Sequence, residues 1–123
     1  MAYLEKERTL IKRDENGNVI PIEVTLDLLE DKPVVKVTPL LKGEIQRMLS
    51  GTEEEREKCE EEIVINHCVE PSYTEEEMKY IQPEMYGALK IAILSISTGR
   101  GQKEIREETT RQIVNDLELK KKI

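Results

Sequence analysis

The hydrophobic period of this chain changes at Thr38, and that change confines the fold more than any other feature. Upstream, Ile20, Ile22, Val24 and Leu26 alternate with Pro21, Glu23, Thr25 and Asp27. This is the period of two that a strand with one buried face requires. Thr9–Lys12 forms a shorter candidate strand, and the Asn16-Gly17 pair between the two segments is a strong hairpin signal. Pro21 lacks an N–H, so its side of the strand is expected at a sheet edge or a bulge. After a turn at Glu30–Pro33, Val34, Val35 and Val37 read as a third strand. Downstream of Thr38 the apolar spacing is helical, as in Leu41, Ile45, Met48 and Leu49. The chain is therefore expected to be α+β: a small N-terminal antiparallel β-meander followed by a mainly helical bundle of four to five helices. A single domain is expected, with a β-rich part over 1–38, a helical core over 38–98 and an amphipathic helix over 102–119.

Punctuation divides the helical part. Thr38 reads as an N-cap with Pro39 at the first helical position, and Gly51 as a stop. Thr52-Glu53-Glu54-Glu55 and Thr74-Glu75-Glu76-Glu77 are capping boxes, each with a hydroxyl three residues ahead of a carboxylate. Pro71 ends the helix that the first box opens. Met78 and Ile81 mark a short helix, and Pro83 starts a longer one running to about Ser97. This last helix is apolar on most sides, with Met85, Leu89, Ile93 and Ile96 on one side and Ala88, Ile91, Ala92 and Leu94 elsewhere, so it is expected to be covered on most sides. Gly99-Arg100-Gly101 breaks the chain before a final stripe of Ile105, Thr109, Ile113 and Leu117.

The chain carries 19 basic and 26 acidic residues, a net charge of −7. Residues 53–62 alone hold seven acids against two bases. Phosphate contacts need cations, so nucleic acid is not an expected partner. Phe and Trp are absent and Tyr occurs four times, which leaves a core of Ile, Leu, Val and Met. Cys59 and Cys68, taken on one continuous helix, fall on opposite faces roughly 13 Å apart along the axis, beyond disulfide reach. With two cysteines, no leader-like segment and no run long enough to span a bilayer, the expectation is a reduced, cytoplasmic, soluble protein without a membrane partner.

Chemistry-bearing motifs are sparse. One histidine, His67, lies next to Cys68, with no C-x-x-C spacing to make a zinc site. No G-x-S-x-G or H-E-x-x-H is present, and the Thr98–Lys103 segment lacks both the spacing and the preceding strand of a phosphate loop. No catalytic, metal or cofactor residue is assigned, and a non-enzymatic, protein-binding role is expected. The candidate partner-binding residues are Ile105, Ile113, Val114 and Leu117 on the final helix.

A more specific reading comes from order and phrase. A β-rich start leads to the VTPLLKGEIQRML helix, then to an acidic helix ending in EIVINHCVEPSYTEEEM, then to QPEMYGALKIAILSISTG. Over roughly residues 36–99 this resembles the tail assembly chaperones of long-tailed bacteriophages and prophages. The resemblance implies a protein that binds and solubilises the tape measure protein, helps recruit major tail (tube) subunits, self-associates, works in the host cell cytoplasm and is absent from the mature virion. It also implies that a longer frameshifted product can exist, and the Lys120-Lys121-Lys122 ending suits the shorter one. Two other readings stay open. One is a structural tail connector or completion protein. The other is an acidic DNA-mimic inhibitor from a mobile element, which would need its acids along one face.

Overall fold

The computed structural model describes residues 3–121, with side chains described as far as Arg111. In chain order its elements are α1 (Lys6–Thr9), β1 (Ile22–Thr25), β2 (Val34–Val37), α2 (Lys42–Ser50), α3 (Glu53–His67), β3 (Cys68–Glu70), a 3₁₀ turn (Glu77–Lys79), α4 (Pro83–Thr98) and α5 (Gln102–Lys121). The fold is α+β, as the change of period implies, with a three-stranded antiparallel sheet in the order β1-β2-β3.

The third strand is not the one expected. Of residues 9–12 only Thr9 falls in a regular element, as the last residue of α1, and the Asn-Gly hairpin is held by one isolated bridge between Arg13 and Val19. The turn chemistry itself is as read. Gly17 sits at φ +84, and Asp14 Oδ1 accepts from the amides of Asn16 and Asn18 at 2.9 and 3.0 Å. The arms are too exposed to extend the pairing, with Leu10 56% and Ile20 45% accessible. The sheet is completed instead by Cys68–Glu70, which pairs with β2 as the chain leaves α3.

β1 and β2 pair from Ile22 opposite Val37 to Thr25 opposite Val34. Alternation then sorts the sides: Val35 and Val37 are buried and Val34 and Lys36 are exposed. On the core-facing side, burial deepens from an exposed Ile22 through a half-buried Val24 to a fully buried Leu26 just beyond β1. On the wet face Lys36 stands between Glu23 on one side and Glu70 on the other, with Nζ 3.4 Å from the Glu70 carboxylate.

The first major helix begins later than Thr38-Pro39 suggests. The Thr38 amide donates to the His67 carbonyl at 2.8 Å, which extends the sheet past Val37, and the Leu40 amide donates to Ser97 Oγ at 2.8 Å. Helix α2 starts after Leu41, whose amide is capped by the Glu44 carboxylate at 3.0 Å. At α3, Thr52 Oγ1 accepts from the Glu55 amide at 3.2 Å, as the capping box requires. The second box closes in both directions between Thr74 and Glu77 but opens only a single 3₁₀ turn. Helix α4 starts on Pro83 and ends on Gly99, which takes the left-handed conformation at φ +75 that glycine accepts without strain. Its Leu89 and Ile93 are 1% and 0% accessible and form the core with Leu26, Val37, Ile63 and Val64.

Candidate functional site

Helix α4 is covered on most sides, as its composition requires, but one strip is left open. Ala88, Leu89, Ala92 and Ile93 are buried, while Gly87, Lys90, Ile91 and Leu94 are half-buried. Those four positions are spaced i, i+3, i+4 and i+7, so they share one face. Two cavities open on it. One, of about 170 Å³, is lined by Met48, Ile63, Gly87, Ile91, Leu94 and Thr109, with Glu60 and Lys90 at its rim. The other, of about 200 Å³, runs from the same Gly87 and Ile91 to Leu28, Leu29, Pro83, Glu84 and Arg106. Together they form an apolar groove along α4, walled by α2 and α3 on one flank and by the start of α5 on the other.

The rim residues Lys90 and Glu60 pair with each other at 3.1 Å, and Lys90 Nζ also stands 4.7 Å over the Tyr86 ring. Burial, together with the negative charge of Glu60, Glu61 and Glu57, pushes the Tyr86 hydroxyl up to about 12. The acidic block on α3 is thus partly consumed by the fold: Glu60 binds α4, and Glu62 binds Arg47 of α2 at 3.1 Å. This leaves fewer acids for the continuous face that a DNA mimic needs.

Helix α5 docks by its first turn. Ile105 is 7% accessible, so this member of the expected partner stripe is taken up by the protein's own packing. Ile113, Val114 and Leu117 lie outside the residues whose side chains are described. Gln102, which the sequence did not single out, is 8% accessible and clamps the sheet. Its Nε2 donates to the Thr25 carbonyl at 2.8 Å, and its Oε1 accepts from the Asp27 amide at 3.2 Å. Because the Leu26 amide donates across the turn to Pro33, strand alternation points the backbone groups of Thr25 and Asp27 the other way, out of the free edge of β1. Pro21, in the same outward register, carries no N–H. The edge is thus blocked at one end by Gln102 and at the other by Pro21.

A second polar cluster was also unread. His67 is 7% accessible, with Nδ1 2.8 Å from Thr38 Oγ1 and Nε2 2.6 Å from Glu44 Oε2. A carboxylate only accepts, so Nε2 carries the proton; in the neutral ring Nδ1 then accepts from the Thr38 hydroxyl. A hydroxyl, an imidazole and a carboxylate in line form a relay of catalytic type, but none of these residues lines the groove. The cluster joins β2, α2 and the end of α3. Both ring nitrogens are occupied, which leaves His67 no lone pair for a metal. Among the described residues, no group of three or more His, Cys, Asp or Glu side chains is placed to hold a metal ion.

Cys59 and Cys68 are both buried free thiols. They are not on opposite faces of one helix, because α3 ends at His67 and Cys68 enters the core as the first residue of β3. Burial pushes the Cys68 thiol up to about 11. Among the described residues no helix is long and apolar enough to cross a membrane. No protein-family model, curated protein or solved structure matches the chain.

Proposed function

We propose that this protein is a non-enzymatic chaperone of the tail-assembly kind, which receives an apolar helical segment of the tape measure protein and keeps that client soluble in the host cytoplasm. The observation that carries this reading is the open face of α4. Gly87, Ile91 and Leu94 with Met48 and Ile63 form an apolar groove, the form in which an amphipathic helix is received by its i, i+3, i+4 and i+7 residues. Met48 adds a side chain that adapts to varied clients. The net charge of −7 keeps coated complexes apart. Recruitment of tail-tube subunits, self-association and absence from the finished virion complete the proposal.

The test is co-expression with the tape measure protein encoded in the same gene cluster. A soluble complex is expected, and equal client solubility with and without this protein overturns the reading. Mass spectrometry of purified virions separates the chaperone from a structural tail connector or completion protein, because only a structural component remains in the particle.

A further inference from the structure

Gly87 stands inside α4, the most apolar of the described helices, where glycine lowers helix stability relative to alanine. No contact among the described residues explains it. A Cβ added at Gly87 meets no atom within 4 Å, and the space above it is the groove, since both cavities on α4 include this residue. A mid-helix glycine beneath open apolar space permits the close approach of another backbone.

The flank of the groove supplies charge. On α5, Lys103, Arg106, Glu107, Thr110 and Arg111 line one exposed side, with three cations against one acid. Arg106 belongs both to this side and to the wall of the groove, which Glu84 at the start of α4 also lines. Just ahead of α5, Arg100 is paired with Glu104 and Glu108; among the described residues Lys103, Arg106 and Arg111 make no such pair. In a chain with an excess of acids, this cationic strip beside an apolar trough is a local reversal of sign.

We infer that the groove over Gly87 receives an acidic amphipathic helix of another protein. Its apolar ridge crosses α4 at Gly87 and Ile91, and its carboxylates face Lys103, Arg106 and Arg111. The inference deepens the chaperone reading and rests on it for the identity of the natural partner. The ligand chemistry follows from the apolar floor and the cationic wall together.

The probes are two labelled synthetic helices with the same Leu/Ala ridge, one flanked by Glu and one by Lys, followed by fluorescence anisotropy. The Glu-flanked helix is expected to bind about tenfold tighter at low salt, and the preference is expected to shrink at high salt. Gly87→Leu, which fills the trough, should weaken binding of the Glu-flanked helix by about tenfold or more. The double change Lys103→Glu with Arg106→Glu should abolish the preference. Gly87→Ala serves as the folding control and should raise Tm by about 3 °C while weakening binding. Equal binding of the two helices, or unchanged binding by Gly87→Leu, overturns the inference. A wild-type dimer in sedimentation that Gly87→Leu converts to monomer assigns the groove to a second copy and also overturns it. In the co-expressed client complex, a soluble complex that survives Gly87→Leu overturns this seat alone and leaves the chaperone reading standing. Failure of the wild-type protein to form that complex overturns the chaperone reading, and the peptide measurements still decide the seat.

Discussion

Replacing Gln102 by alanine removes two hydrogen bonds at once and bares two backbone groups at a sheet edge. The Thr25 carbonyl loses its donor at 2.8 Å, and the Asp27 amide loses its acceptor at 3.2 Å. Each bond contributes about 1 kcal/mol net, and a part-buried group left unpaired costs more than that. Helix propensity at the first position of α5 changes by only a few tenths of a kcal/mol. The sum is about 2–3 kcal/mol, which for a chain of 123 residues corresponds to a fall in Tm of roughly 10 °C. Scanning calorimetry measures the fall. Amide exchange localises it, since the Asp27 amide should lose protection well before the Leu26 amide, which keeps its bond to Pro33. Gln102→Glu sharpens the test: its carboxylate still accepts from Asp27 but repels the Thr25 carbonyl. Below the carboxyl's pKa the side chain can donate again, so this variant should gain stability relative to the parent as pH falls. A shift in Tm of under about 2 °C for Gln102→Ala, with unchanged Asp27 protection, would refute the clamp.

Three further outcomes are expected. Leu89→Ala, at a site 1% accessible, should cost about 2–5 kcal/mol in chemical denaturation; a loss below about 1 kcal/mol would show that α4 is not the centre of the core. His67→Leu should cost about 2 kcal/mol by stranding Glu44 and the Thr38 hydroxyl, with Glu44→Gln costing less because the amide oxygen still accepts from Nε2; the reverse order would show that the charge of Glu44, more than its hydrogen bond, holds the cluster. At alkaline pH the folded state holds the Cys68 proton to about 11, against 9.0 in its ordinary state. Stability from this source is therefore full below pH 9 and lost as pH rises through about 11, on the order of 2 kcal/mol. Urea midpoints across that range should fall for the parent and fall less for Cys68→Val, and identical slopes would remove Cys68 as the cause.

Local signals were legible wherever the chain settles its own geometry. The change of period at Thr38, the Thr52 cap, Pro83 at the head of α4 and left-handed Gly99 at its tail are each fixed within a few residues. Partners far apart in sequence were not legible. Nothing near Thr38 discloses that its amide is taken by the His67 carbonyl, so a reasonable N-cap became the end of a strand extension. Nothing near Cys68 discloses that it joins β2, and the exposed 9–12 segment lost a strand for want of a surface to cover it. The site divides in the same way. The apolar excess of α4 was readable as a demand for cover, but the strip left uncovered depends on where α2, α3 and α5 happen to lie. Gln102 reads as an ordinary polar residue at a helix start until Thr25 is placed beside it.

The arrangement of the strands in space also sets an order in time. β2 meets its inner neighbour only after the whole of α2 and α3 has been made, because that neighbour is Cys68–Glu70. The outer edge of β1 is closed later still, by a side chain 77 positions beyond Thr25. Contacts so distant along the chain form late and slowly. A chain emerging from the ribosome therefore carries first a two-stranded ribbon, then a three-stranded sheet whose β1 margin is still bare, and only at the start of α5 a sheet with that margin guarded. A product cut short just ahead of Gln102 would retain every strand and all of α4, yet present an unpaired carbonyl and amide to any extended segment nearby. The short contact made by one glutamine separates a finished molecule from one inclined to pair with its neighbours.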